Sequence, residues 1–558
     1  MGGTLVLNGP TGPHTQSEGS EMTKVLWRRG SRAAAAVAIG TLVLSACASA
    51  GGGESGAAND GRHSIGYVGD RAGGGSPVDG GVMTYGAYGF PATLDPTKTP
   101  VAGSTGGTEL AAIYDTLMRY DFEKGEYVPQ LAQTLTSSDG GASWTITLRD
   151  GATFSDGSPV DSAAVKWSLD RYVAAKRDLA QVWANSVAET QTPDVKTVVF
   201  KLKRQWTDFP VMLSMGPGMI VAPSAEASGT FTPIGAGPFT VTRFAPNEIL
   251  ELAPRADYVG GKPHLAGLRF VPTPNPQGMV ESMQSGQLDG GYLYRNTEAI
   301  DSALDAGYNG YLDIVGLGAI GVINQREGRP GADVRVRRAI ALGVDPEALN
   351  QRVSGGNDPA GSSLYPEGSQ WYNEDVPGLA YDPDKARELL DQAKVDGYDG
   401  KLTYVAINEE ASRQGALAVQ AALNSIGFKV EVVYANSVTD LTRRVYVDRD
   451  FDIARGAASL IDTAPFVRMY ASLGSDSNNN AGGYNSPEMD GLLVKLQAAD
   501  SDNEKQAVID DMQNVANETV PYAVWAPSVV LAAWTPKLRG ANVSVDNIVL
   551  FDDAWMEQ

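Results

Sequence analysis

Trp144-Thr145-Ile146-Thr147-Leu148-Arg149, the turn pairs Asp150-Gly151 and Asp156-Gly157, and then Asp161-Ser162-Ala163-Ala164-Val165 form the most legible stretch of this chain. From Trp144 to Leu148 apolar and polar residues alternate, so successive side chains fall on opposite faces and one face is buried, as in a half-buried strand. The two Asp-Gly pairs are turn signals. Asp161 stands where a helix wants a capping carboxylate. Val165, Leu169 and Tyr172 then recur at i, i+4 and i+7, one apolar face of a helix over residues 162–172.

The same grammar continues downstream. Asp333 precedes an apolar-periodic run over 334–342, and Asp345-Pro346 and Asp382-Pro383 each set a capping carboxylate before a proline suited to the first helical position. Residues 402–407 read as a strand, 416–426 as a helix ended by Gly427, and 429–433 as the next strand, a β–α–β passage that predicts parallel pairing. Strands alternate with helices, so the class is α/β, or mixed α+β. Gly316-Leu317-Gly318-Ala319-Ile320-Gly321 matches a dinucleotide-binding pattern after a strand over 311–315. A phosphate there needs a helix N-terminus, and Val322-Ile323-Asn324 stays strand-like. Those glycines read as part of a long strand or a flexible crossover.

Composition narrows the chemistry. The chain has 558 residues, 42% of them hydrophobic and 20% charged, enough for two or three domains with large cores. Its net charge of −22 argues against nucleic-acid binding, which needs a basic footprint. The single cysteine is Cys47, and the three histidines are His14, His63 and His264. That leaves little room for an internal disulfide, a zinc or iron–sulfur centre, or a Ser-His-Asp site, and no cofactor or metal is expected.

Lys24, Arg28, Arg29 and Arg32 precede an uncharged, mostly small or apolar run over 33–46 that ends in Leu44-Ser45-Ala46-Cys47. Basic residues, a short apolar core and small residues before a cut compose a secretory signal, and the run is too short for a comfortable membrane span. Residues 1–46 are thus expected to be a signal peptide, with Met22 a second reading of the start that would make 1–21 a mis-called start. Leu-Ser-Ala-Cys resembles the bacterial lipobox, which implies lipidation at Cys47. Residues 47–80, rich in glycine, read as a flexible tether after that anchor.

From Val82 onward the segments, in order, resemble the solute-binding lipoproteins of ATP-driven peptide importers, the oligopeptide/dipeptide-binding solute-binding protein family 5. The resemblance rests on Leu94-Asp95-Pro96, Ile113-Tyr114-Asp115-Thr116-Leu117, and the stretch from Asp139 to Val160 with Leu148-Arg149-Asp150-Gly151 and Phe154-Ser155-Asp156-Gly157. Gly235-Ala236-Gly237-Pro238-Phe239, Val334-Arg335-Val336-Arg337-Arg338-Ala339-Ile340, and Tyr381-Asp382-Pro383 extend it. It implies a two-lobe periplasmic-binding-protein-like fold that closes about a hinge. Lobe I would comprise residues 82–315 plus 526–558, and lobe II residues 316–525. Gly316–Gly321 would be the first crossover, its glycines absorbing hinge rotation, and residues 520–527 the second.

The resemblance also implies site residues. Asp462, after the strand Phe451-Asp452-Ile453-Ala454-Arg455, is the expected anchor for a peptide α-ammonium, although the family's tryptophan beside it is absent. Asn408, Glu409, Glu410 and Arg413 fill a loop expected to face the cleft, where two glutamates would favour a cationic ligand. Tyr85, Tyr88 and Phe90 are expected as an aromatic wall, Ser104, Thr105 and Thr108 as polar lining near a helix start, and Trp525 as a cover at the second crossover. The implied function is an extracytoplasmic binding protein, not an enzyme, monomeric and held to the outer face of the cytoplasmic membrane by Cys47. It would deliver a peptide-like solute to membrane permease subunits whose ATPase is a separate chain. The same fold binding a nickel chelate, oligosaccharide, opine or siderophore is the alternative, a sensory or adhesive module without transport another, and a secreted carboxylate-based hydrolase a remote one.

Overall fold

In the computed structural model of the chain, the described residues are 63–71, 75–176 and 178–557. The expected signal peptide, Cys47 and most of the expected tether lie outside them.

An eleven-stranded mixed sheet organises the fold. In chain order its strands are β1 (Gly66–Val68), β2 (Val82–Ala87), β3 (Phe239–Ala245), β4 (Ile249–Pro254), β5 (Gly267–Pro272), β6 (Gly290–Tyr294), β7 (Asn309–Ile323), β8 (Lys401–Ile407), β9 (Lys429–Ala435), β10 (Ile453–Gly456) and β11 (Tyr522–Trp534). The spatial order is β9-β8-β10-β7-β11-β6-β2-β5-β4-β3, with β1 added on β7. The expected β–α–β passage is there: β8 and β9 pair in parallel from Lys401–Lys429 to Ile407–Ala435. A second, four-stranded antiparallel sheet contains Ser143–Leu148, the strand that opened the reading.

Helix starts follow the capping carboxylates. Asp161 accepts from the Ala164 amide at the start of α1 (Ser162–Ala174). Asp333 and Asp345 cap α2 (Val334–Leu342) and α3 (Pro346–Ser354), and Asp382 caps α4 (Pro383–Val395). Then come α5 (Glu410–Ser425), α6 (Pro465–Leu473), α7 (Pro487–Ala498) and α8 (Asp502–Thr519). Among the described residues no helix is long and apolar enough to cross a membrane.

β7 and β11 tie the whole sheet together. They pair antiparallel from Asn309–Trp534 to Val322–Tyr522, and the register shifts on both sides of Ala319, between Val315 and Ala319 and between Ala319 and Ile320. The glycine-rich motif lies at this break in register, inside one continuous strand and not at a helix start. Its glycines answer to close approach. A Cβ on Gly316 would run into the Leu364 carbonyl oxygen, and one on Gly318 into the backbone of Pro527 and Ser528. Pro527 sits opposite this break, where its missing N–H costs no ladder bond.

The glycine-rich composition up to Gly80 predicts an unordered tether, and the described part of it is tied down instead. β1 adds antiparallel to β7, Tyr67 sets its ring edge-on to Tyr311 at 5.1 Å, and the Arg71 guanidinium lies 3.5 Å over Tyr67. His63 Nε2 is 2.8 Å from Asp301 Oδ1. Three residues with one aromatic side chain are enough where the open edge of a long buried strand supplies the partner.

The largest buried cluster runs from Met83 through Trp206 and Leu460 to Phe551, and a second is confined to residues between Ile323 and Trp525. Contacts join the two expected lobes beyond the crossing strands. Phe466 packs edge-on against Trp206 at 5.1 Å, Lys505 Nζ lies 2.8 Å from Asp208 Oδ2, and Gln497 donates to Ser186 Oγ at 2.8 Å.

Candidate ligand-binding cleft

Ligands of open α/β sheets bind beyond the carboxyl ends of strands. At that end of β10 and β6, two hollows meet and share Ile320, Arg455 and Gly456. The larger, about 430 Å³, is lined by Arg295, Tyr446, Ser459, Arg468, Asn479 and Tyr522, among others. The smaller, about 120 Å³, is mostly apolar, with Leu349, Val353, Tyr404, Val419 and Trp525 in its wall.

Each wall has a local cause. β10 pairs with the Ile320–Ile323 end of β7, and the chain then stays extended, with Leu460 bonded reciprocally to Gly316. That puts residues 455–459 along the floor. Pro465 at the first turn of α6 starts the helix that brings in Arg468. Trp525 comes from β11 and meets Tyr404 edge-on, ring centroids 6.4 Å apart. A Cβ on Gly321 would sit 2.8 Å from Cη2 of that indole, so the strand passes beneath Trp525 because the residue is glycine. Arg295 follows β6 in a left-handed conformation, φ 57°, and its guanidinium lies 4.4 Å over the Tyr294 ring. Asn296 then caps the next helix, accepting from the Ala299 amide.

Arg468 pairs with Asp546, which is buried and whose carboxyl is pushed up by that burial against the opposing pull of Arg468. Beside it Asn547 donates from Nδ2 to Asp313 Oδ2 at 3.1 Å, and burial raises Asp313 to about 7.

The expected site residues divide. Trp525 lines the smaller hollow. Tyr88 is in neither wall; its ring lies 5.1 Å from that of Tyr294, the residue before Arg295. Tyr85 is a correction: it is 2% exposed and packed between Phe270 and Phe551, because β2 turns that side chain into the core. Phe90 stacks on Phe244 at 6.4 Å, outside both hollows. Ser104 and Thr105 close a turn on Gly89, and buried Thr108 accepts from the Val549 amide; none of them lines either hollow.

The charged loop reaches the cleft through its small residues. Ala411 and Ser412 line the smaller hollow, while Glu410, Arg413 and Asn408 satisfy one another on the exposed start of α5. Glu410 is held below the usual carboxylate range by hydrogen bonds from Gln414 and Arg413. Glu409 is the residue before that helix, exposed, with no side-chain cap bond.

Asp462 has another task. Its carboxylate accepts from Ser369 Oγ at 2.6 Å and from the Gln370 amide at 2.9 Å, and its carbonyl accepts from Trp371 Nε1 at 3.0 Å. The side chain fastens the 369–371 segment and is not in either wall. Arg295, Arg455 and Arg468 were not picked out by the sequence reading. The usable signal was position, since Arg455 and Arg295 stand at the carboxyl ends of β10 and β6.

Comparison with known proteins agrees with this architecture. Residues 126–480 match the family model of bacterial extracellular solute-binding proteins, family 5. The chain is 28% identical over 368 residues to a Brucella ovis protein named for peptide binding in an ABC transporter, covering 61% of this chain and 67% of that one. It is 22% identical over 496 residues to the dipeptide-binding protein of Escherichia coli, covering 83% and 92%. Among solved structures, the oligopeptide-binding protein AppA of Bacillus subtilis with a nonapeptide superposes at a TM-score of 0.72 and 20% identity, covering 87% of this chain and 100% of that one. The binding protein AgaA of A. tumefaciens with agropinic acid gives 0.71 and 22% over 86% and 99%. The fold is the two-lobe α/β fold of periplasmic binding proteins, and the chain belongs to the bacterial extracellular solute-binding proteins, family 5.

Proposed function

We propose that this chain is a binding lipoprotein that encloses a peptide-like solute between its lobes and delivers it to the permease of an ABC importer, the ATPase being a separate chain. It works as a monomer, performs no reaction of its own, and is tethered through lipidated Cys47 after removal of residues 1–46. Lobe I is residues 82–315 plus 526–558, and lobe II is residues 316–525.

One observation carries this reading. The larger hollow lies beside the two long strands that run between the lobes, with Arg295 contributed from one side and residues 438–481 from the other. A cavity of about 430 Å³ is in the range of small-molecule sites, roughly 300–1,000 Å³. A solute there touches both lobes, and closure strengthens its polar contacts by excluding water.

A non-peptide solute is the second reading. Asp462 accepts from Ser369 and Gln370 and lines neither hollow, which weighs against it as an α-ammonium anchor. Mass spectrometry of the purified chain, native against denatured, tests the two. A ladder of short peptides released on denaturation supports the first. A single non-peptide mass supports the second and overturns the first.

A further inference from the structure

Around this cleft three buried donors, on Arg295, Arg468 and Trp525, have no partner, against one acceptor, Asn547 Oδ1. Arg295 is intermediate in exposure as a residue, yet its Nε is sealed from solvent and has no partner. Among the described residues no carboxylate pairs with its guanidinium. The charged or titratable groups that act on it most are Tyr294, a second cation Arg455, Tyr88 and Tyr292. Burial, with Arg455 beside it, holds Arg295 below the usual guanidinium range. Arg455 lines both hollows and likewise has no ion-pair partner among the described residues. The Trp525 indole N–H, in the wall of the smaller hollow, and Nε of Arg468 are buried and unpartnered too.

Carboxylates are scarce on the same surface. No Asp or Glu lines the larger hollow. Asp358 lines the smaller one and accepts from Thr297 Oγ1 at 2.6 Å. Asp546 is taken up by Arg468, and Glu409 lines neither hollow. An unpaired buried cation costs several kcal/mol. A chain that keeps one at the mouth of a solute-sized hollow has a partner for it that is not part of the chain.

We propose that the cleft selects its solute by an anionic end: an oxyanion, a carboxylate in first place, held by Arg295 and Arg455, with an apolar remainder against Trp525 and Tyr404. Recognition then runs through the acid and needs no α-ammonium. This rests on the reading above, that the cleft holds a solute. It also reverses the cationic preference expected from Glu409 and Glu410.

The test offers the whole purified chain four matched probe sets, followed by calorimetry and native mass spectrometry. They are dipeptides as free acids, the same dipeptides as C-terminal amides, their N-acetylated acids, and glutarate with inorganic phosphate. Free and N-acetylated acids are expected to bind alike, and amides about thirtyfold or more weakly, the loss expected when a buried charge is left unpaired. Arg295→Gln is expected to erase the preference for acids, while the unliganded melting temperature stays level or rises.

Amides that bind as tightly as acids, or binding abolished by N-acetylation, overturn the anionic selection and leave solute capture standing. Binding of glutarate or phosphate with no peptide bound keeps the anionic selection, overturns the peptide reading, and tells carboxylate from phosphate. No binding of any set overturns both. A lower melting temperature for Arg295→Gln with its acid preference intact makes Arg295 a structural residue and overturns the assignment. Should that variant not fold, Arg455→Gln, whose side chain is exposed, carries the same comparison.

Discussion

Arg468 on α6 and Asp546 near the C-terminus, 78 residues apart, form an ion pair across the wall of the larger hollow. Asp546 is 9% exposed and lies in a left-handed backbone conformation, φ 61°. The pair joins residues on opposite sides of the expected lobe boundary. Removing one partner leaves a buried charge. Asp546→Ala is expected to destabilise the chain by about 3–5 kcal/mol in denaturant unfolding. Arg468→Met, with Asp546 free to take up a proton, is expected to cost less. Equal stability of Asp546→Ala and wild type would show that the pair holds nothing.

The glycines of the crossing strand make a graded prediction. At Gly321 an added methyl meets the rim of the Trp525 ring at 2.8 Å and Ile453 Cγ2 at 3.2 Å, side-chain atoms with some room to move. At Gly318 it meets Ser528 Oγ and also the main chain of Pro527 and Ser528, which has less. Gly321→Ala is expected to cost about 1–3 kcal/mol, as overpacking does. Gly318→Ala is expected to cost more and to lower solute affinity. Both are read by calorimetric unfolding, and the opposite order would contradict the packing described for β7 and β11.

Asp313 makes stability depend on pH. Its carboxyl is raised from 3.8 to about 7 by burial, so the folded chain holds a proton that the unfolded chain releases between those values. The folded state binds more protons in that window, so this group's contribution to stability falls as pH rises from about 4 to about 7 and is flat above. Asp115 and Glu109, also raised to about 7 by burial, act in the same direction. Asp313→Asn imitates the protonated form. Its stability relative to wild type is expected to grow across the window, and parallel pH profiles for the two would contradict it.

Asp462 separates a structural carboxylate from an anchor. Asp462→Ala leaves the Gln370 amide and the Ser369 hydroxyl without their acceptor, at a cost of about 1–3 kcal/mol. Affinity for dipeptides with free and with acetylated N-termini is expected to stay equal. A selective loss for the free amines would restore Asp462 as the ammonium anchor.

What the sequence disclosed was local. Asp161, Asp333, Asp345 and Asp382 cap helices because the carboxylate and the amide it accepts from are two or three residues apart. The parallel pair β8–β9 was legible because strand, helix and strand follow one another. What stayed hidden was set by distant contacts. Ser369, which occupies Asp462, is 93 residues away from it. Tyr85 carries the same alternation as Tyr88, and only Phe270 and Phe551 around it decide that it is core. β1 was masked by its glycines, since the edge it completes belongs to residues 310–312. Arg295 is a single arginine after a strand until Tyr294 and Arg455 are seen beside it.

The central claim is capture of a solute by closure of two lobes. Electron–electron distance measurement between spin labels tests it most directly. The labels go on cysteines at exposed Ser228 and Lys429, one in each proposed lobe, in a chain carrying Cys47→Ser. Without solute a broad or long distance distribution is expected, and with a saturating bound solute a single shorter distance. One unchanged distribution in both states, under conditions where calorimetry records binding, would contradict capture by closure.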